Sequence, residues 1–178
     1  SGPNIASVPG FDKSSVCLTE VRTEDFNGFI FVKLDDDAAP MDDGFPGVRE
    51  EIEEYVPNVR DLGPREWVEI TERCNWKVSV ENYSECYHCP INHKTFATGV
   101  IKPETYDIQP MDRGYTLRHT TECQSMEKMT YPVVLSVPHA DEYRSWFLWP
   151  MVSFQCYPGN VLNTYHWRPA DVDHCTVY

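Results

Sequence analysis

Positive charge is scarce in this 178-residue sequence: 15 lysines and arginines stand against 28 aspartates and glutamates, for a net charge of −13. That balance repels phosphate backbones and anionic lipid, and no basic patch offsets it, so nucleic acid is excluded as a partner. No run of residues approaches the roughly 20 apolar positions that a membrane span requires, and no apolar signal stretch opens the chain. The seven cysteines are odd in number and lack the short, regular spacing of a disulfide scaffold. Together these absences read as a reduced, cytoplasmic protein. The length suits one domain, or one domain with a piece of another, and is enough to bury a core.

What is present falls into β-like runs around one dense polar stretch. Ser1-Gly2-Pro3-Asn4 reads as the start of a piece cut from something longer. Between Val16 and Leu34 two short apolar runs flank Asn27-Gly28, the strongest hairpin dipeptide. A two-stranded ribbon cannot stand alone, so this one is expected to finish a sheet that begins upstream. Asp35 to Gly44 is acidic and broken by Pro40, a solvated boundary. Val48, Ile52, Tyr55 and Val56 recur at helical spacing on an acidic segment and predict a helix with its apolar stripe inward. Arg65 to Arg73 reads as a strand, with Trp67, Val68 and Ile70 giving it one buried and one partly covered face. Tyr115 to Cys123, Ser145 to Tyr157 and Val161 to Arg168 also read as strands. Asp112-Arg113-Gly114 and Pro158-Gly159 supply turns, predicting an antiparallel sheet.

The polar stretch is Asn75 to His93. Trp76, Val78 and Val80 alternate as a strand end or an amphipathic lead-in, and Glu81 to Cys89 takes helical spacing that Pro90 ends. Asn82, Glu85 and His88 stand three apart in turn, which places an amide, a carboxylate and an imidazole in a row on one helix face. His93 follows His88 by five, so on an unbroken helix it would point roughly 140° away; a break at Pro90 lets the chain turn both imidazoles to one point. Cys86, Cys89 and the histidines form a rival zinc set. Its spacing is poor, because Cys-x-His-Cys-x3-His lacks the insert that lets two ligand pairs close a tetrahedron. A Rieske cluster needs two knuckles, and only Cys86-Tyr87-His88 is here. Cys86 and Cys89 therefore read as small buried hydrophobes.

The run Asn75-Trp76-Lys77 … Glu81-Asn82-Tyr83-Ser84-Glu85-Cys86-Tyr87-His88-Cys89-Pro90 … His93 resembles the iron-site signature of the catalytic domain of Rieske-type non-haem iron oxygenase α subunits. Phe96-Ala97-Thr98-Gly99, Glu122 to Met126 and Trp146 to Pro150 resemble the branch that acts on quaternary ammonium compounds such as glycine betaine, proline betaine and carnitine. The resemblance covers the chain from Val21 onward. It implies an α+β helix-grip catalytic domain over residues 40–178, with its sheet as one wall of a ligand cavity. Residues 1–39 would be the closing β-ribbon of a Rieske domain.

In the family's terms His88 and His93 would be two ligands of a 2-His-1-carboxylate triad on mononuclear Fe(II). Glu85 would bridge toward a cluster histidine of a neighbouring subunit, and Asn82 would lie near the iron. The upstream [2Fe-2S] knuckles are absent, and the third ligand, an Asp on a late helix, is expected beyond Tyr178; Asp171 and Asp173 come too early for it. Electrons would come from NAD(P)H through a separate flavin/iron–sulfur reductase, and assembly would be a homotrimer. The implied reaction is monooxygenation and oxidative N-demethylation of a betaine, with O₂ as co-substrate. A cationic substrate wants aromatic faces, and Tyr83, Phe154, Tyr165 and Trp167 are the cage candidates. Alternatives are an aromatic-ring-type or carnitine-type oxygenase, a structural zinc module on Cys86, Cys89, His88 and His93, and a non-catalytic ligand-binding domain of the same fold.

Overall fold

The computed structural model describes residues 8–35, 37–111 and 115–178. The expected turn at Asp112-Arg113-Gly114 and the start at Ser1-Gly2-Pro3-Asn4 lie outside the described residues. The hairpin forms as expected from β1 (Arg22–Phe26) and β2 (Phe29–Lys33), in register from Arg22↔Lys33 to Phe26↔Phe29. Asn27 and Gly28 close it with φ of 54° and 88°, the pair of positive angles that matches the twist of the flanking strands. The ribbon begins later than the apolar run suggests: a 3-10 turn occupies Lys13–Val16 and residues 17–21 are irregular. A single helical turn, α1 (Met41–Gly44), interrupts the acidic loop. It leads to α2 (Val48–Tyr55), whose Val48, Ile52 and Tyr55 are buried together with Val56. Each such side chain contributes about 1.5–3 kcal/mol by leaving water.

The strand expected over Arg65 to Arg73 shrinks to β3 (Ile70–Glu72), and Trp67 and Val68 are 75% and 54% exposed. The ladder to the strand near the C-terminus runs from Ile70↔Val177 to Glu72↔Cys175. Next come α3 (Trp76–Tyr83), α4 (Cys89–Asn92) and one π-helical turn, Phe96–Val100. The remaining strands are β4 (Asp107–Met111), β5 (Thr116–Glu122), β6 (Glu142–Leu148), β7 (Val152–Tyr157), β8 (Val161–Pro169) and β9 (Cys175–Val177). The stretch Ser145 to Tyr157, read as one strand, is two: a turn at 149–151 folds β6 onto β7. The order β3-β9-β8-β7-β6-β5-β4 makes a seven-stranded, wholly antiparallel sheet in an α+β fold, the expected class.

Alternation along the strands gives the sheet two different faces. On one, Trp146, Leu148, Phe154 and Cys156 pack with Phe26, Val48, Ile52 and Tyr55, so hairpin and α2 share this core. On the other, Phe147, Trp167 and Val177 pack with Val80 of α3. Helix α2 is also pinned through polar atoms. Tyr55 Oη donates to Glu142 Oε2 (2.5 Å), and Trp146 Nε1 donates to Glu51 Oε2 (2.7 Å). Gly159 (φ 85°) turns β7 into β8 where a Cβ would lie 2.6 Å from the Val133 side chain, so the turn needs glycine on both counts.

Candidate metal centre and cavity

Helix α3 begins at Asn75, whose side chain accepts the Lys77 N–H (3.1 Å) and donates to the Val172 carbonyl (2.9 Å). It stops at Tyr83, not at Pro90. Glu85 takes the Tyr87 backbone N–H on its own carboxylate, a local bond that competes with helical pairing. Pro90 lies in the first turn of α4, where the missing N–H costs nothing, so it opens a helix and does not end one. The expectation of a helix from Glu81 to Cys89 is thus corrected to helix, turn, helix.

That turn assembles the centre. Glu85 Oε1 accepts a hydrogen bond from His88 Nδ1, which leaves the His88 Nε2 lone pair for a ligand. His93 leaves the end of α4 with φ −113° and ψ 56°, and its Nε2 stands 3.1 Å from that of His88. Two imidazole nitrogens each about 2.1 Å from one first-row ion, at right angles, stand about 3.0 Å apart, so the pair fits adjacent positions on one metal. The bond from His88 holds the Glu85 carboxyl below its ordinary range, so Glu85 is an anion. Among the described residues no third ligating side chain completes this pair within 4.8 Å. Asp171 instead bonds His174 (3.0 Å) on the exposed loop after β8, where Asp173 also lies.

The cysteine reading changes here. Cys86 and Cys89, taken as free hydrophobes, form a disulfide, because the turn brings their Cα atoms to 5.0 Å. In that state neither offers zinc a thiolate.

The histidines and Glu85 line a cavity of about 340 Å³ between α3, α4 and the sheet. Asn82, Tyr83, Tyr165 and Trp167 line it as well, with Tyr83 meeting Trp167 at 5.0 Å and Tyr165 at 5.7 Å between ring centroids. Phe154 does not. It points the other way, into the core with Phe29 (4.9 Å), because its neighbours Ser153 and Gln155 occupy the cavity side of β7. Sequence reasoning missed Tyr106, His119, Tyr143, Gln155 and Tyr157, all of which line the cavity. The alternation of β5 and β7 could have flagged His119 and Gln155 as inward polar residues.

His119 is 1% exposed, and its Nδ1 bonds Tyr106 Oη (2.6 Å). Its Nε2 has no partner, nor has Gln155 Oε1. Burial pushes the imidazole down to about 4, so it is neutral at physiological pH. Burial likewise raises the phenols of Tyr83, Tyr106, Tyr143 and Tyr157, which stay protonated. The wall therefore carries seven aromatic rings and Glu85 and Glu72, and no lysine or arginine among the described residues.

An antiparallel sheet gripped by helices, with paired histidines facing an aromatic cavity, is the arrangement of a catalytic domain able to hold a metal ion beside a small ligand. Residues 59–178 match the family model "Ring hydroxylating alpha subunit (catalytic domain)", and the chain belongs to that family. The carnitine monooxygenase oxygenase subunit of Acinetobacter baumannii is 27% identical over 171 residues, 96% of this chain and 45% of that protein. The glycine betaine monooxygenase oxygenase subunit of Chromohalobacter salexigens is 31% identical over 98 residues, 54% of this chain and 21% of its own length. A solved quaternary ammonium Rieske monooxygenase, CntA, superposes with a TM-score of 0.82 at 27% identity, over 98% of this chain and 45% of that one. The chain spans less than half the length of these relatives.

Proposed function

We propose that this chain is the catalytic part of a Rieske-type monooxygenase that oxidises a small quaternary ammonium compound, by N-demethylation of a betaine such as glycine or proline betaine. The observation that carries the reading is the His88–His93 pair, 3.1 Å apart, facing a cavity of aromatic rings with no lysine or arginine among the described residues. Mononuclear Fe(II), held by His88 and His93 with a carboxylate from elsewhere in the whole protein, supplies oxygen activation when bound.

The chain's own residues do the rest. The faces of Tyr83, Tyr165 and Trp167 attract a trimethylammonium or dimethylammonium head, each worth about 0.5–2 kcal/mol once water is excluded. Neutral His119 adds no opposing charge, and its free Nε2, with Gln155, offers polar contact for the far end of the substrate. Glu85 orients the His88 ring through Nδ1, and its side chain is 44% exposed, so a donor from another subunit can reach it. Hydroxylation turns a methyl C–H into C–OH. The resulting carbinolamine loses its hydroxyl proton, its C–N pair returns to nitrogen, and formaldehyde leaves.

Residues 1–39 are read as the end of a preceding Rieske domain bearing a [2Fe-2S] cluster. Val32, Ile30 and Leu34 support this, since 58–90% of their surface lies open on the ribbon. Electrons from NAD(P)H through a separate reductase, homotrimeric assembly and a cytoplasmic location complete the proposal. Among the described residues no helix is long and apolar enough to cross a membrane.

The test uses the full-length protein with ferrous iron and reductase, offered glycine betaine, proline betaine, carnitine and an uncharged aromatic substrate. Formaldehyde formed in step with O₂ consumed is expected for a betaine. Free tertiary amine without formaldehyde would move the oxidised carbon off the methyl, and oxidation of only the uncharged ring would refute the cationic substrate.

A further inference from the structure

At the edge of the sheet, away from the paired histidines, two thiols converge on one carboxylate. Glu72 is the last residue of β3 and pairs directly with Cys175, the first residue of β9. Cys74 follows two residues later, where the chain turns back past the strand end. The sulfur of Cys175 lies 3.6 Å from Glu72 Oε2, and that of Cys74 lies 3.8 Å from the same oxygen. Cys175 is fully buried, and Glu72 and Cys74 are half-buried. One ligating atom from each of the three lies within 4.8 Å of the other two, the sole such group among the described residues.

We propose that Glu72, Cys74 and Cys175 form a site for a borderline-soft divalent cation, zinc above all. The distances carry the argument. A sulfur about 2.3 Å and an oxygen about 2.1 Å from one tetrahedral ion stand about 3.6 Å apart. Both sulfur–oxygen separations are already at or near that value, and the two sulfurs lie within 4.8 Å of each other. Two thiolates select zinc or a similar ion over magnesium and calcium, which want oxygen alone. Binding releases the two thiol protons to solvent. Three protein ligands leave a fourth position for water. The site shares no side chain with the histidine pair.

It also has a structural consequence. β3 is held at the sheet edge by only three residue pairs to β9, and a cation on Glu72, Cys74 and Cys175 would clip the two together. Glu72, Ile70 and Val177 line the cavity, so the clip sits on its rim.

The test is an anaerobic cobalt(II) titration of the reduced chain carrying Cys86→Ser, Cys89→Ser, His88→Ala and His93→Ala, which removes the thiols and imidazoles of the other donor cluster. One cobalt per chain is expected to give thiolate-to-metal charge transfer in the near ultraviolet, with visible bands of tetrahedral intensity. Stoichiometric zinc should displace it and raise the thermal midpoint by mass action. Adding Cys74→Ser, which changes a half-buried position and spares the fully buried Cys175, should remove most of the charge transfer. Glu72→Gln should keep the band and weaken cobalt about tenfold or more. Far-ultraviolet circular dichroism checks that each variant is folded. No charge-transfer band in the folded parent, or a band unchanged by Cys74→Ser, overturns the proposal and leaves two thiols hydrogen-bonded to a carboxylate.

Discussion

His119 sets a pH limit on this fold whose size follows from its burial. The imidazole is 1% exposed on the cavity side of β5, with titration lowered from 6.5 to about 4 by burial. Because the folded value is depressed, the unfolded chain binds the proton more tightly; the stability at stake is fully present above pH 6.5 and drains away as pH falls toward 4. Between pH 7.5 and 4.5 the linkage amounts to about 2.5 kcal/mol, a large fraction of the stability of an ordinary domain. His119→Gln removes the titration and keeps an acceptor for Tyr106 Oη. Urea unfolding of wild type and variant across that pH range should give a wild-type advantage that shrinks by about 2.5 kcal/mol, most of it below pH 6. Other groups titrate in both proteins and cancel in the difference. A difference flat to within about 0.5 kcal/mol would refute the reasoning, and would mean that water reaches His119 or that its proton has a partner in the fold. The function is exposed to the same titration, because a protonated His119 would repel a cation in the cavity.

In the full-length protein His88→Ala or His93→Ala should abolish ferrous iron binding, measured by chelator competition, while Cys86→Ser and Cys89→Ser leave it nearly intact. Loss of iron in the serine variants would return the thiols to the metal site. Glu85→Gln should retain iron with about 10- to 100-fold weaker affinity, and in rapid mixing with substrate and O₂ the Rieske cluster should stay reduced. Loss of iron as complete as in His93→Ala would make Glu85 a ligand, and wild-type reoxidation would make it an ordinary acid. Tyr165→Leu should raise KM for a quaternary ammonium substrate about 2- to 30-fold and leave that for an uncharged isostere unchanged; equal effects on both would remove the cation–aromatic contact. Ile52→Ala should cost about 2–5 kcal/mol in urea unfolding, since its side chain is wholly buried between α2 and the sheet, and a loss under about 1 kcal/mol would contradict that packing.

The sequence by itself determined whatever depends on neighbours along the chain. Asn27-Gly28 set its hairpin, because both residues tolerate the positive φ that the turn demands. The spacing of Val48, Ile52, Tyr55 and Val56 set the buried stripe of α2. The five-residue step from His88 to His93 marked the two imidazoles that meet, although the chain breaks before His88 and the two rings flank the short α4 that Pro90 opens.

Tertiary structure decided the rest, for reasons no local pattern contains. Which face of β7 meets the cavity depends on its register with β6 and β8, and that register sends Gln155 in and Phe154 away. The strand expected at Arg65 to Arg73 forms its ladder only over Ile70–Glu72, against Cys175–Val177. Glu85's bond to the Tyr87 N–H, a side-chain choice that competes with the helix, ended α3 before Pro90 and let Cys86 meet Cys89. His119 joins the cavity of His88 and His93 because β5 belongs to the sheet that α3 packs on, its ring 6.1 Å from that of Tyr83. Cys175 reaches Glu72 for the same kind of reason, through the pairing of two strands 103 residues apart.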